Sequence, residues 1–352
     1  MGDGEPRKMN QQGPRVFHVP PELQGETVLG ALRKLVPGAS WAELRTKLRK
    51  RFLMVDGGLC VDEGRRVREG TVIKWMTQPI AAPPTEESLK IVYCDRHVVV
   101  VEKPAGITTL RHAEERNWPA RRKQLQPTLD EMISRVIGKQ EAAKITGRKK
   151  VRTRTEREIQ RFEPAWIRAV HRLDRDTSGL MVFARTVPAE VDLIRQFKSH
   201  SVKRSYFAIA QGRVEAGTIE TYLTRDRGDG LRGSTKDQKS GERAVTHVEP
   251  KEYLPEHTLI QCRLETGRTH QIRIHLSELG HMLCGEKIYN RPMGGKPITD
   301  QSQAPRQMLH AVELGFIHPA TKEVFHFTSE IPSDMSRVLI RLRERPHSFD
   351  TN

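Results

Sequence analysis

A proline-rich stretch at residues 78–85 divides the sequence into a short part and a long part. Prolines occupy positions 79, 83 and 84 of this stretch. Because proline has no backbone N–H and a fixed φ, such a stretch interrupts helices and central strands and is typical of a semi-rigid linker. A chain of 352 residues is long enough for about two domains. We therefore predict two folded domains joined by a linker.

The predicted boundaries follow from local composition. Residues 1–15 are polar and aperiodic, which is typical of a disordered tail. The small domain is expected at 16–78, the linker at 79–88 and the large domain at 89–340, followed by a tail at 341–352. The large domain is long enough to bury a substantial core.

The chain is strongly basic. Its 60 Lys and Arg residues outnumber 44 Asp and Glu residues, which gives a formal net charge of +16. Such an excess favours a polyanionic partner, since each neutralised phosphate releases counterions. RNA, DNA and an acidic membrane surface all meet this requirement. No apolar run approaches the ~18 residues of a membrane span, and the N-terminus shows no apolar signal segment. We therefore expect a soluble, cytoplasmic protein that does not enter a membrane.

The small domain contains two predicted helices and a strand pair. Apolar residues at helical spacing indicate a first helix over 27–36, which Pro37 and Gly38 end. Ser40 is a suitable N-cap for a second helix over 41–51. The elements that follow are a strand at 53–55, a turn at 56–58 and a last strand at 71–75.

The second predicted helix carries a concentration of positive charge. Its basic residues are Arg45, Lys47, Arg49, Lys50 and Arg51. Two helices followed by a short strand-turn-strand, with one basic helix, resemble the S4 RNA-binding domain. The resemblance implies a small S4-like α/β domain whose basic helix contacts RNA. The alternative is a basic amphipathic helix that is merely a solvated face.

Two strands and several charged segments open the large domain. Residues 89–93 and 98–102 are predicted strands, the second buried on both faces. A short helix is predicted at 128–136. The highly charged segments 111–124 and 138–163 are either loops or mobile basic helices over an RNA-binding face, or plain solvated surface. The second of these segments is interpreted as a basic insertion.

An aspartate in a loop before a buried strand is the main candidate for chemistry. Asp174 lies in the run His-Arg-Leu-Asp-Arg-Asp-Thr-Ser-Gly, and a buried strand over 179–184 follows. His171, Arg172 and Arg175 surround it with positive charge, which favours the ionised carboxylate that a nucleophile needs. The alternative is an aspartate that only caps a turn or pairs with a neighbouring arginine.

Two later segments supply an aromatic ring and two arginines. A strand is predicted over 203–212 with Tyr206 near its start, where the ring either stacks on an unpaired base or lies in the core. A helix is predicted over 270–279, and the nearby Arg268 and Arg273 suit phosphate or carboxylate. Histidines at positions 270, 275 and 281 lack the spacing of a helical zinc pair, so we expect no metal site.

Together these segments resemble the RluA-type family of pseudouridine synthases. The matching stretches are, in order, Asp95-Arg96 with Val101-Glu102-Lys103-Pro104-Ala105-Gly106, HRLDRDTSGL, the Tyr206 strand, and LETGRTHQIRIHL followed by Gly280-His281 and Gly285-Glu286. The resemblance covers about residues 89–330. It implies an α+β fold in which helices and loops flank a central mixed, mainly antiparallel sheet.

The resemblance also implies an activity, the isomerisation of uridine in RNA. The C1′–N1 glycosidic bond breaks, the base turns over, and C5 is joined to C1′. No cofactor is expected, because the reaction involves no net redox change or group transfer.

Roles for individual residues follow by analogy with this family. Asp174 is then the catalytic carboxylate, Arg273 its ion-pair partner and Tyr206 the ring that packs on the target base. Arg172 is expected to take the space of the flipped-out nucleotide. The remaining expected contacts are the apolar walls Leu180 and Ile272 and the substrate-binding residues His171, Leu173, Thr177, Gly179, Arg268, His270, Gln271 and Lys103.

The RNA target is left open by the sequence. Large-subunit ribosomal RNA is expected first, because an S4-like domain often accompanies ribosomal substrates in this family, and transfer RNA is the alternative. A catalytically idle RNA-binding or ribosome-assembly factor with the same fold is a competing hypothesis, as is DNA binding through the basic insertion. One catalytic set per chain suffices for a monomer, which is the state we expect.

Overall fold

The computed structural model describes residues 15–345, except 57, 78, 81–82, 112–114, 149–164, 228–230 and 293–294. The chain forms two compact units: Met1–Pro83 with Ala113–Pro127, and Pro84–His112 with Thr128–Asn352. The predicted disordered tail lies outside the described residues except for Arg15, as does most of the predicted C-terminal tail. In the part of the chain that is described, no helix is both long enough and apolar enough to cross a bilayer.

The N-terminal unit is a small antiparallel sheet with two well-capped helices. Its strands are β1 (Arg15–His18), β2 (Leu53–Val55), β3 (Gly58–Leu59) and β4 (Val72–Trp75), in the order β1-β4-β2-β3. Its helices are α1 (Val28–Leu35), α2 (Trp41–Arg49) and, in the second segment of the unit, α3 (Ala120–Leu125). Thr27 caps α1 and Ser40 caps α2, each through its side-chain oxygen. Both long helices match the prediction within two residues, whereas β1 was not predicted.

The second unit is built on one large sheet. Its strands are β5 (Lys90–Cys94), β6 (Val98–Lys103), β7 (Arg168–Ala169), β8 (Ser178–Ala184), β9 (Lys203–Gln211), β10 (Gly217–Thr224), β11 (Gly233–Thr235), β12 (Glu242–Leu254), β13 (His257–Leu264), β14 (Leu309–Ile317) and β15 (Val324–Thr328). The order is β11-β10-β12-β13-β9-β14-β8-β6-β5, with β15 beside β14 and β7 beside β8. β14 and β8 are parallel, and the other described pairs are antiparallel. The predicted mixed, mainly antiparallel sheet is confirmed.

Four helices accompany this sheet in the described part of the unit. They are α4 (Leu129–Arg148), α5 (Val187–Lys198), α6 (Gln271–Glu278) and α7 (Ser333–Arg343). The prediction for α4 was wrong in length, since the helix continues from 136 to 148 through the first part of the predicted basic insertion. Lys139 and Glu141, in the extended part, form ion pairs with Glu86 and Arg185. The rest of the insertion lies outside the described residues.

β8 lies at the centre of the core, directly after the Asp174 loop. All seven of its residues are buried. Met181 and Phe183 face one apolar cluster, while Leu180 and Val182 face another on the opposite side of the sheet. The expectation that Leu180 forms a wall of the substrate site was therefore wrong, because it points away from the cluster that contains Tyr206.

Gly179 stands where β8 passes closest to β14. Its φ of +117° lies in a region that L side chains rarely adopt, and an added Cβ would lie 2.2 Å from the carbonyl oxygen of Ala311. Both facts require glycine for backbone reasons. They explain why residue 179 is glycine, without any contact between Gly179 and substrate.

We predict that Gly179→Ala lowers the free energy of unfolding by about 3 kcal/mol, because it adds backbone strain and a steric clash with β14. Urea denaturation followed by circular dichroism measures this loss. Gly217→Ala is the matched control, since a Cβ there meets nothing within 4 Å. Equal stability of the two variants would contradict the assignment.

Candidate active site

The Asp174 loop is held from beneath by a buried lysine. The ammonium group of Lys103 donates hydrogen bonds to the carbonyl oxygens of Pro104 (3.2 Å), Arg175 (2.9 Å) and Thr177 (2.7 Å). Lys103 is fully buried, and burial lowers its pKa to about 7. It is not among the described residues that line the cavity beside Asp174. Its expected role in substrate binding was therefore wrong: Lys103 fixes the loop instead.

Further hydrogen bonds make the loop rigid. The hydroxyl of Thr109 donates to the carbonyl of Leu173 and accepts from its backbone N–H. The N–H of Gly106 donates to Arg175, and that of Thr177 donates to the carbonyl of Asp174. These contacts place a carboxylate at a defined position on an otherwise irregular segment.

Asp174 lies at the wall of a cavity of about 470 Å³. The cavity brings together most of the predicted site residues, namely His171, Arg172, Leu173, Asp174, Thr177, Tyr206, Arg268, His270, Gln271, Ile272 and Arg273. Gly179, like Lys103, is not part of its described lining. Tyr206 on β9 is only 7% exposed, and burial raises the pKa of its hydroxyl.

An ion pair fixes the charge of Asp174. Its Oδ2 lies 3.0 Å from Nη1 of Arg273, and its side chain is 16% exposed. Burial by itself would raise the pKa of Asp174, but the charges of His270 and Arg273 outweigh it and hold this pKa below its usual value. Because burial lowers the pKa of His270, Arg273 is the charge that remains opposite Asp174 at neutral pH. The carboxylate is therefore ionised there.

Arg273 is itself oriented by a second carboxylate. Its Nε and Nη2 donate to Glu286 at 2.7 and 2.8 Å, and the Glu286 side chain is fully buried. One oxygen of Glu286 also accepts the backbone N–H groups of Lys287, Ile288 and Tyr289. Arg273 thus bridges two carboxylates, with Nη1 directed to Asp174.

The other oxygen of Asp174 faces His270. Oδ1 lies 3.7 Å from Nε2 of the imidazole, whose Nδ1 lies 2.7 Å from the hydroxyl of Tyr289. His270 immediately precedes α6 and has left-handed backbone angles, with φ 61°.

His171 does not contribute the positive charge that was expected of it. Its Nε2 accepts the backbone N–H of Val182 at 3.1 Å, and its ring stacks on Phe197 at 4.4 Å. Burial, assisted by the charge of Arg204, lowers the pKa of His171 to about 3, so the ring is neutral. The side chain still lines the cavity.

Gln271 lines the cavity, but its side-chain amide forms hydrogen bonds with other residues of the protein. Its oxygen accepts from Thr266 and from the N–H of Arg268, and its nitrogen donates to Val245 and Thr246. It therefore locks the start of α6 onto β12. Arg268 also pairs loosely with Glu242, at 3.4 Å.

Three cations of the cavity have no carboxylate partner among the residues that the structure describes: Arg172, Lys198 and Arg204. Arg204 packs against the ring of Phe197, and its Nη1 is so close to Gly267 that a Cβ there would lie 2.6 Å away. Its position is thus fixed without an ion pair, which leaves its charge available to an anion.

The basic residues predicted for RNA binding in the N-terminal unit are partly engaged within that unit. Arg45 and Arg49 pair with Glu63, at 3.6 and 3.1 Å. Lys47 lies over the rings of Phe52 and Trp75. Nε of Arg51 donates to the carbonyl of Ile80, and Lys50 is exposed. The exposed ion pairs are weak and exchangeable.

Sequence reasoning gave no site role to several residues, among them Lys198, Arg204, Glu286 and Tyr289. Glu286 carried the clearest signal, since it is an acidic residue separated only by Gly285 from the apolar run at 282–284. A charge in such a position is usually buried with a partner. The other three have ordinary positions in a helix, a strand and a loop.

Comparison with known proteins agrees with this geometry. Residues 97–278 match the RNA pseudouridylate synthase family. The chain belongs to this family, and it is an isomerase that converts uridine to pseudouridine in RNA.

Similarity to individual relatives confirms the predicted subgroup of this family, the RluA type. The chain is 33% identical to ribosomal large subunit pseudouridine synthase D of Neisseria meningitidis, over 92% of this chain and 81% of the relative. It is 31% identical to the protein of that name from Pseudomonas aeruginosa, over 95% and 98%. A solved structure, human RNA pseudouridylate synthase domain containing 4, shares the fold with a TM-score of 0.52 and 22% identity, over 73% of this chain and 94% of that one.

We predict that Glu286→Gln lowers the free energy of unfolding by about 3 kcal/mol, because it leaves part of the buried charge of Arg273 uncompensated. Urea denaturation measures the change. Glu220→Gln is the control: Glu220 and its partner Arg243 are each 49% exposed, so its loss is expected below about 1 kcal/mol. Similar losses in both variants would refute a structural role for the buried pair.

Proposed function

We propose that this enzyme isomerises one or more uridines in large-subunit ribosomal RNA, with Asp174 as the catalytic carboxylate. The names of its relatives, which are ribosomal large subunit pseudouridine synthases, support the choice of RNA. The observation that carries the catalytic assignment is the buried ion pair between Asp174 and Arg273, at the wall of a cavity that Tyr206 also lines.

The chemistry needs an ionised carboxylate out of bulk water. When the C1′–N1 bond breaks, its electrons leave with the base and C1′ becomes electron-poor. The carboxylate of Asp174 bonds to C6 before this cleavage, bonds to C1′ as the base leaves, or stabilises the electron-poor sugar, and each of these paths requires the charge that Arg273 maintains. After C5 joins C1′, C5 loses a proton and N1 gains one, so the product is an isomer of the substrate.

The remaining cavity residues suit an extruded nucleotide. Tyr206 and Ile272 supply an aromatic and an apolar surface for the base. Arg172 is exposed and lies two residues before Asp174. It takes the place that the flipped base vacates. Lys198 and Arg204 bind backbone phosphates, because neither forms an ion pair among the described residues.

The other assignments concern the whole protein. Residues 16–78, within the N-terminal unit, act as an S4-like RNA-binding domain, followed by a linker at 79–88 and by the catalytic domain at 89–340. Its weak, exposed ion pairs at Arg45 and Arg49 exchange for phosphates. The enzyme acts in the cytoplasm. It acts as a monomer, since one chain carries the complete cavity.

We expect Asp174→Asn to lower pseudouridine formation by about 1000-fold or more, because the neutral amide cannot replace the carboxylate. Release of tritium from RNA containing 5-tritiated uridine measures turnover at a temperature at which the variant is folded, and RNA binding should stay unchanged. Asp176→Asn removes the same charge two residues away, outside the described cavity lining, and should retain most of the activity. Normal turnover by Asp174→Asn would refute the proposal.

The RNA target is tested in cells. Deleting the gene should remove pseudouridine from large-subunit ribosomal RNA, and the wild-type gene, but not its Asp174→Asn form, should restore it. Loss confined to transfer RNA would instead support the alternative substrate.

Phosphate binding is tested by Lys198→Gln and Arg204→Gln. Each should weaken RNA binding and reduce the slope of log K against log salt by about 1, since one phosphate contact is lost. Arg263→Gln is the control, because Arg263 is exposed on the neighbouring strand β13 and pairs with Glu249. An unchanged salt slope in the first two variants would exclude phosphate contacts there.

A further inference from the structure

A closed circuit of contacts surrounds Asp174 and includes a residue without an assigned role, Tyr289. The circuit runs from Oδ2 of Asp174 to Arg273, from Arg273 to Glu286, and from Glu286 to the N–H of Tyr289. It returns from the Tyr289 hydroxyl to His270, whose Nε2 faces Oδ1 of Asp174. Each carboxylate oxygen thus faces a separate cationic or polar group.

The hydrogen-bonding capacity of Tyr289 decides the tautomer of His270. Tyr289 is 2% exposed, and in the described part of the chain its hydroxyl has one hydrogen-bond partner, Nδ1 of His270. If Nδ1 carried the hydrogen, the hydroxyl hydrogen would be buried without an acceptor, which is costly. The hydroxyl therefore donates to Nδ1, and the ring hydrogen of neutral His270 lies on Nε2.

This tautomer directs a donor at the catalytic carboxylate. Nε2 is 3.7 Å from Oδ1, and catalytic hydrogen bonds are often long before substrate binds and shorten in the complex. The left-handed backbone of His270, with φ 61°, is an uncommon conformation that places its ring between Tyr289 and Asp174. Burial keeps the imidazole neutral by lowering its pKa, and raises the pKa of Tyr289 to about 12, so the phenol keeps its proton.

We propose that Tyr289 is a positioning residue for the isomerisation: its hydroxyl holds His270 in the tautomer that donates from Nε2 to Oδ1 of Asp174. The inference rests on the proposed role of Asp174 and deepens it. Arg273 holds one oxygen of the carboxylate by a hydrogen bond, and the Tyr289–His270 pair presents a donor to the other at 3.7 Å. When this second contact shortens in the complex with RNA, both oxygens are held and the plane of the carboxylate is set.

The experiment compares Tyr289→Phe with the wild type in single-turnover release of tritium from 5-tritiated ribosomal RNA. Loss of the hydroxyl frees the His270 tautomer, so the rate constant should fall by about tenfold, as for one lost hydrogen bond. RNA affinity should not change, and the two rates are compared at a temperature at which both proteins are fully folded. Tyr253→Phe is the matched control, because it removes a hydroxyl that bonds Glu215 away from the cavity, and it should be fully active.

A double-mutant cycle separates positioning through His270 from a general structural effect. In a His270→Ala background, Tyr289→Phe should cost nothing further. His270→Gln, whose terminal amide offers an N–H donor without a second tautomer, should retain part of the activity and be insensitive to Tyr289→Phe. A wild-type rate in Tyr289→Phe, or an undiminished tenfold loss in the His270→Ala background, would overturn the inference.

The same assay distinguishes this inference from the proposed function. If the wild type releases no tritium, or if Asp174→Asn reacts normally, the proposed function itself fails, and the role of Tyr289 fails with it. If the wild type is active and Asp174→Asn is not, the Tyr289 variants alone decide the inference.

Discussion

The buried guanidinium of Arg273 is the interaction on which the active site depends. A charge removed from water costs several kcal/mol, so Arg273 needs both Asp174 and Glu286 at hydrogen-bonding distance. These three residues come from a helix, a loop before β8 and the segment after 285. Compensation of this one buried charge therefore requires three segments that are distant in sequence to lie together. That geometry keeps the carboxylate of Asp174 ionised and partly shielded from water.

The loop that carries Asp174 is supported in a similar way. The ammonium group of Lys103 donates hydrogen bonds to the carbonyl groups of Arg175 and Thr177 and to that of Pro104. Gly179 allows β8 to approach β14. At the cavity, the side chain of Asp174 contacts Arg273 and His270. Around it, Arg172, Lys198 and Arg204 form no ion pair among the described residues and present charge to an anionic substrate. The loop that carries Asp174 is thus rigid, whereas the cations around the cavity keep charge that can bind RNA.

Local patterns predicted the helices and strands well and the contacts of polar side chains less well. The helices α1, α2 and α6 and the strands β2, β6 and β9 lie close to the predicted ranges, because periodicity and caps act within a few residues. The length of α4 was underestimated because the contacts of its second part, such as the ion pair of Lys139 with Glu86, join segments that are distant in sequence. β1 was missed because its partner β4 is distant in sequence.

The sequence by itself determined the family, the activity and the cluster of residues around Asp174, because ordered motifs depend only on residue identity and spacing. Only the tertiary structure decided what each polar group does. It shows that His171 is neutral, that Lys103 lies beneath the loop, and that Glu286 and Tyr289 complete the contacts of Asp174. The physical reason is that charge and hydrogen-bonding depend on burial and on partners far along the chain, as Asp174 and Arg273, 99 residues apart, illustrate.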